Sequence, residues 1–179
     1  MAESKELIRP ENINEFEVVE MIRGLRPDAL VVIAFGQKIG EPLLEDLPAF
    51  NLHASLLPAY RGAAPINRAM IDGCRETGVS VIELAQRMDA GDVHATRTLA
   101  IDPLETAGEL HDRLAELGPA AVESVLQGLA QGTTSGVVQD ETLVCQAPKL
   151  SRAESSVDFS DDASRIRDRI HGLTPWPGC

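Results

Sequence analysis

The run Ala29-Leu-Val-Val-Ile-Ala34 constrains the fold more than any other stretch of the chain. It is short, uninterrupted in apolar residues and rich in β-branched ones, the pattern of a strand buried on both faces of a parallel sheet. The segment before it reads as a helix. Asn14 followed by Glu17 has the form of an N-cap with its reciprocal partner, and Phe16, Val19 and Ile22 then recur at helical spacing until Pro27. A helix feeding a doubly buried strand is half of a βαβ unit, so a parallel α/β sheet is expected. No strand precedes that helix. Either the sheet starts here, or its first strands were never in this chain.

Downstream, Phe50-Asn-Leu-His53 reads as a second short strand and Ser55-Leu-Leu-Pro-Ala-Tyr-Arg-Gly62 as a loop. Pro65 suits the first turn of a helix reaching about Asp72. Residues 78–84 alternate as a strand does, Met88-Asp-Ala-Gly-Asp92 is a loop, and residues 94–101 form a further strand antiparallel to its neighbour. Residues 105–117 and 119–130 read as two helices split at Gly118-Pro119. A last short helix near residues 162–171 runs into Thr174-Pro-Trp-Pro-Gly178, a segment typical of an interdomain joint. The implied class is α/β: a Rossmann-like open sheet, mostly parallel with one antiparallel strand pair, and helices on both faces.

At 179 residues the chain suits one domain, residues 1–150, with residues 151–179 as a terminal helix and the start of a linker. Its 16 basic against 28 acidic residues give a net charge of −12, which argues against gripping a phosphate backbone unaided. No apolar run approaches the roughly 18 residues of a membrane span, so no membrane role is expected. Met1-Ala-Glu-Ser-Lys5 lacks the apolar stretch of a secretory leader. Cys74, Cys145 and Cys179 are odd in number and far apart, which fits free thiols in a reducing cytoplasm and neither a disulfide framework nor a zinc site.

Asn51, His53, Ser55 and Asp89 form the densest cluster of polar groups at strand ends. Asn51 and His53 are two apart on a strand and leave the same face, at the edge where open α/β sheets hold their ligands. An amide that steadies a developing oxyanion, an imidazole that moves a proton and a carboxylate that orients it would suit acyl-type transfer. Spacing alone leaves a plainer alternative open, in which His53 is a hydrogen-bonded structural residue and Asp89 a turn former before Gly91. His94, His111 and His171 have no evident partner and read as surface or packing residues. Ser55 is not in a Gly-x-Ser-x-Gly elbow, Gly36 and Gly40 make no dinucleotide fingerprint, and Asp158, Asp161 and Asp162 lack calcium-loop spacing. No metal site is expected.

The string Asn51-Leu-His-Ala-Ser-Leu-Leu-Pro-Ala-Tyr-Arg-Gly-Ala-Ala-Pro65 resembles the motif of the folate-dependent formyltransferases. Further segments match in order: Val32-Ile-Ala-Phe-Gly-Gln37, Gly78-Val-Ser-Val-Ile82, Met88-Asp-Ala-Gly91, Leu117-Gly-Pro119, Ala147-Pro-Lys-Leu150 and Pro175-Trp-Pro-Gly178. The late lysine and Trp-Pro segments are most similar to the branch whose acceptor is the amino group of methionyl-tRNA. The resemblance makes residues 1–150 a partial catalytic domain, and it makes Asn51, His53 and Asp89 a catalytic trio acting on the formyl carbon of 10-formyltetrahydrofolate. It also implies that Ser55, Leu56, Leu57 and Pro58 contact the folate and that Gly36, Gln37, Lys38 and Ile39 line its pterin pocket. The family's chains carry earlier strands and a later β-barrel that this one lacks, so tRNA binding by this acidic piece is expected to be weak or absent. Two other readings accompany this one: a relative acting on an amino sugar or hydrolysing formyl folate, and an inactive folate-binding fragment that needs a complementing partner.

Overall fold

The computed structural model describes residues 7–179; the leader-free reading of Met1-Ala-Glu-Ser-Lys5 lies outside them. The elements run α1 (Phe16–Gly24), β1 (Leu30–Ile33), α2 (Glu41–Leu44), β2 (Ala49–His53), α3 (Pro65–Ile71), β3 (Glu76–Glu83), β4 (Val93–Ala100), α4 (Ala107–Ala130) and α5 (Ala163–Gly172), with short 3-10 turns at Glu141–Leu143 and Arg152–Ser155.

The four strands make one open sheet in the order β1-β2-β3-β4. β1 runs parallel to β2, pairing Leu30 with Ala49 and Ile33 with Leu52. β2 and β3 are antiparallel, with His53 opposite Ser80, and so are β3 and β4. The Rossmann-like α/β class stands, with a different balance of directions. Among the described strands one pairing is parallel and two are antiparallel, because β3 also reverses against β2. Direction is set by which edge a connection returns to, and alternation within a strand carries no record of it.

Phe50 and Leu52 of β2 share a face with Val79 and Val81 of β3. The stripe Ala107, Leu110, Leu114, Gly118, Ala121 and Val125 of α4 packs on that face to form the main core. The steps of three and four residues pass straight through Gly118-Pro119, so the split expected there does not occur: α4 is one helix of 24 residues. Pro119 and Ala115 are both exposed, so water can take the carbonyl that Pro119 leaves without a donor. Thr106 caps this helix, its backbone N–H donating to Glu109 Oε2 at 2.7 Å. α5 closes the far end against α3, where Leu173, Ala64 and Leu150 form a second small core and Asn67 Nδ2 donates to the Gly172 carbonyl at 2.7 Å.

Two expectations at the start of the chain are corrected. β1 is not buried on both faces: it lies at the sheet edge among the described strands, with Val31 and Ile33 exposed. An apolar run reports what a strand is suited to, whereas its burial depends on neighbours. Nor does Asn14 cap α1, whose N-cap is Glu15 without a side-chain bond. Asn14 instead ties the chain across to the loop after β1, its Oδ1 accepting from Gly40 N at 2.6 Å and its Nδ2 donating to the Lys38 carbonyl at 2.8 Å.

Candidate active site

Asn51 and His53 leave the face of β2 opposite α4, sharing it with Ile82 and Ser80 of β3. The loop after β2 folds back over this face. Ser55 is fully buried and its hydroxyl donates to the Ala59 carbonyl at 2.6 Å. Ser80 Oγ donates to the Ser55 carbonyl at 2.7 Å and accepts from Leu57 N at 3.1 Å. The loop is thereby pinned to the central strand, which carries the Tyr60 carbonyl to 2.8 Å from His53 Nε2. A carbonyl only accepts, so Nε2 bears the hydrogen.

The other ring nitrogen, Nδ1, faces Asp89 Oδ1 at 3.7 Å. The two side chains are 7% and 12% exposed, so the pair sits beneath the surface with its edge open. At this distance a protonated ring and the carboxylate would form an ion pair. Asp89 Oδ2 accepts from Gly62 N at 2.9 Å. Gly62 holds a φ of +130°, and a Cβ there would stand 2.6 Å from the Ala147 carbonyl oxygen, so only glycine can bring this amide to the carboxylate. Tyr60 and Asp89 both lie in the left-handed region, at φ +63° and +53°. That conformation costs a residue with a Cβ about 1–2 kcal/mol, so outside contacts must hold it.

Those contacts are present. The Tyr60 phenol bonds Asp72 Oδ2 and Cys74 Sγ, each at 3.0 Å, and its backbone N–H donates to Cys145 Sγ at 3.1 Å. Partial burial, with Cys74 and Asp72 alongside, pushes that phenol well above its ordinary range. Buried Arg61 reaches Gln139 and Glu141, and Gln139 bonds the backbone of the Asp89 loop. Arg87 and, after it, Arg61 hold the Glu141 carboxyl below the usual carboxylate range through hydrogen bonds.

Of the residues singled out in the sequence, Asn51, His53 and Asp89 thus lie on β2 and the facing loop, with the last two in direct apposition. The Asn51 side chain is half-buried and makes no hydrogen bond with protein among the described residues, which leaves its amide free for a ligand. Leu57 is buried beside Ser55, whereas Leu56 and Pro58 keep partial exposure. In the loop after β1, Gly36 and Lys38 are exposed and Ile39 half-buried. Gln37 is engaged by the preceding segment, accepting from Ile13 N at 2.8 Å and donating to the Glu11 carbonyl at 3.2 Å. Tyr60, Arg61 and Gln139 were not singled out. The first two stand inside the quoted motif, and Gln139 sits in a polar stretch that carries no local signal.

Two cavities have volumes of about 800 and 840 Å³, the first between β4 and residues 133–140 with Leu57 and Pro58 in its lining, and the second beside the start of α4. Neither is lined by Asn51, His53 or Asp89. No group of three or more metal-binding side chains occurs among the described residues, and no helix there is long and apolar enough to cross a membrane.

An imidazole, a carboxylate and an amide thus gather at the strand ends of an open α/β sheet, the edge where such folds hold their ligands. A family model described as formyl transferase matches residues 1–126, and the chain belongs to that family. It is 42% identical over 175 residues to the methionyl-tRNA formyltransferase of Geobacter metallireducens, covering 96% of this chain and 56% of that protein. It is 43% identical over 173 residues to that of Moorella thermoacetica, covering 95% and 55%. The chain therefore spans about half the length of the curated relatives it matches. Among solved structures it is similar in fold to HypX from Aquifex aeolicus in complex with tetrahydrofolic acid, with a TM-score of 0.77 and 23% identity over 89% of this chain and 28% of that one. A sugar N-formyltransferase from a Shewanella species has a TM-score of 0.76 and 16% identity over 90% of this chain and 66% of that one.

Proposed function

We propose that this chain carries the site at which a formyl group passes from 10-formyltetrahydrofolate to the amino group of methionyl-tRNA, in the cytoplasm, at translation initiation. The observation that carries the reading is the apposition of His53 and Asp89 at the strand end, beside an Asn51 amide that has no protein partner among the described residues. In this reading Asn51 donates an N–H to the formyl oxygen, where negative charge grows as the amine attacks. His53, anchored by the Tyr60 carbonyl, presents its Nδ1 side toward the reacting centre and the Asp89 carboxylate. Asp89 takes the proton that the attacking nitrogen loses. The new carbon–nitrogen bond forms to the acceptor, the bond to the folate nitrogen breaks, and the proton passes to that nitrogen.

The residues present suit a flat, hydrogen-bonding donor. The amide of Asn51 has no protein partner among the described residues, and exposed Gly36 and partly exposed Leu56 and Pro58 flank the strand end. When bound, the folate supplies the activated one-carbon unit. Residues 1–150 serve as the partial catalytic domain and residues 151–179 as the terminal helix and start of a linker. With a net charge of −12 the chain itself holds tRNA weakly.

The test is formyl transfer from 10-formyltetrahydrofolate to methionyl-tRNA by the wild-type chain and by His53→Ala and Asp89→Asn. Equal rates in all three would remove the assignment. A second reading, in which turnover requires a further strand along β1, is favoured by the exposed Val31, Ile33 and Phe35. Folate binding measured by calorimetry without turnover would support it.

A further inference from the structure

We infer that Gln139 is a positioning residue that fixes the Asp89 carboxylate against His53 by clamping the loop on both sides of it. The inference rests on the roles proposed above for His53 and Asp89. The Gln139 side chain is buried and its hydrogen-bonding capacity is full. Nε2 donates to the Asp89 carbonyl at 2.9 Å and to the Gly91 carbonyl at 2.7 Å. Oε1 accepts from Arg61 Nε at 3.0 Å and from Arg61 Nη2 at 2.8 Å. A guanidinium can only donate and peptide carbonyls can only accept, so this network admits one orientation of the amide.

The clamp acts where the loop needs it. Asp89 turns through φ +53°, a conformation its own side chain does not enforce. Fixing the carbonyls of residues 89 and 91 sets the peptide planes around that turn, and with them the direction in which the carboxylate leaves. The far end of the clamp is equally firm. Arg61 is bound through its backbone to Cys145 O at 3.0 Å and Ala147 N at 2.7 Å, and through its side chain to Glu141 Oε1 at 3.0 Å. Gln139 itself follows Val137, which exchanges two 2.9 Å hydrogen bonds with Val93 of β4. The carboxylate is thus held at its backbone by Gln139 and at Oδ2 by the Gly62 amide, both anchored on the same Arg61–Gly62 turn.

Gln139→Glu separates positioning from folding. It keeps an acceptor for Arg61, so the anchor remains, while its carboxylate faces two carbonyl oxygens and drives the loop away. Gln139→Met removes both halves. Amide hydrogen exchange of Gly62, whose N–H rests on Asp89 Oδ2, reports the carboxylate directly and needs no turnover. In Gln139→Glu the protection of Gly62 should fall about tenfold or more, toward its value in Asp89→Ala, while the amides of Leu52 and Val81 in the sheet stay protected. Formyl transfer should show a kcat about ten- to hundredfold lower with KM for the formyl donor within about threefold of wild type. Wild-type protection of Gly62 in both variants overturns the inference. An unchanged kcat in Gln139→Glu, with His53→Ala inactive, also overturns it and leaves the proposed function standing. Full activity in His53→Ala would sink the proposed function instead, and Gly62 exchange still decides the role of Gln139.

Discussion

His53 Nδ1 stands 3.7 Å from Asp89 Oδ1, too long for a hydrogen bond and short enough for an ion pair. The two residues come from different elements, a β-strand and a loop between antiparallel strands, and neither reaches the other unaided. The Tyr60 carbonyl sets the ring and the Gly62 amide sets the carboxylate. The geometry of such a pair depends on the groups that hold it as much as on the pair itself.

Asn51 has no protein partner to lose among the described residues, so its removal should touch chemistry and spare stability. Asn51→Ala is expected to lower kcat by about 10²–10³, the usual effect of deleting one oxyanion donor. Its unfolding free energy should stay within about 0.5 kcal/mol of wild type in urea titrations. A parallel fall in stability would mean that the amide is structural.

Gly91 allows the loop after Asp89 to lie against β3. A Cβ at this position would stand 1.8 Å from the Glu83 carbonyl oxygen, a backbone atom that cannot turn aside. Gly91→Ala should therefore shift the whole loop, destabilise the chain by about 1–3 kcal/mol and reduce formyl transfer, measured by chemical denaturation and initial rates together.

Leu110 is fully buried under the sheet, whereas Leu104 just before α4 is 80% exposed. Leu110→Ala should cost about 2–5 kcal/mol through lost burial and the cavity left behind. The same change at Leu104 should stay within about 0.5 kcal/mol. Equal effects at the two positions would mean that α4 does not pack as described.

Acid should weaken the junction between α3 and the segment before α5. Arg68 Nη1 donates to Glu154 Oε2 at 2.6 Å and holds that carboxyl below its ordinary range. A carboxyl lowered on folding stabilises the chain above its unfolded value and loses that contribution as pH falls through the folded one. The difference in Tm between wild type and Glu154→Gln should be steady from pH 7 to about 5 and should close below about pH 4. A difference that widens in acid would contradict the pairing.

The strands and most helices were readable because their causes are local. Alternation from Gly78 to Leu84 placed β3, Pro65 opened α3, and the reciprocal Thr106 and Glu109 cap lies within a residue or two of the expected start of the long helix. Asn51 and His53 could be set on one strand end, and Asp89 on a loop, from spacing alone. The motif around them pointed to the family that the formyl transferase match establishes over residues 1–126.

What the linear order determined, then, was the kind of element at each position and the set of reactive groups, since backbone preference and side-chain period act over a few residues. The tertiary structure alone decided how far those elements run and which groups meet. Packing of the Leu114, Gly118 and Ala121 stripe carried α4 through Pro119, and the neighbours of β1 left Val31 and Ile33 exposed despite their apolar character. Asn14 bonded across to Lys38 and Gly40 and not along its own helix, and Gln139 crossed 50 residues of chain to hold the Asp89 carbonyl. Such contacts arise from three-dimensional proximity, which a polar residue in an unpatterned stretch does not announce.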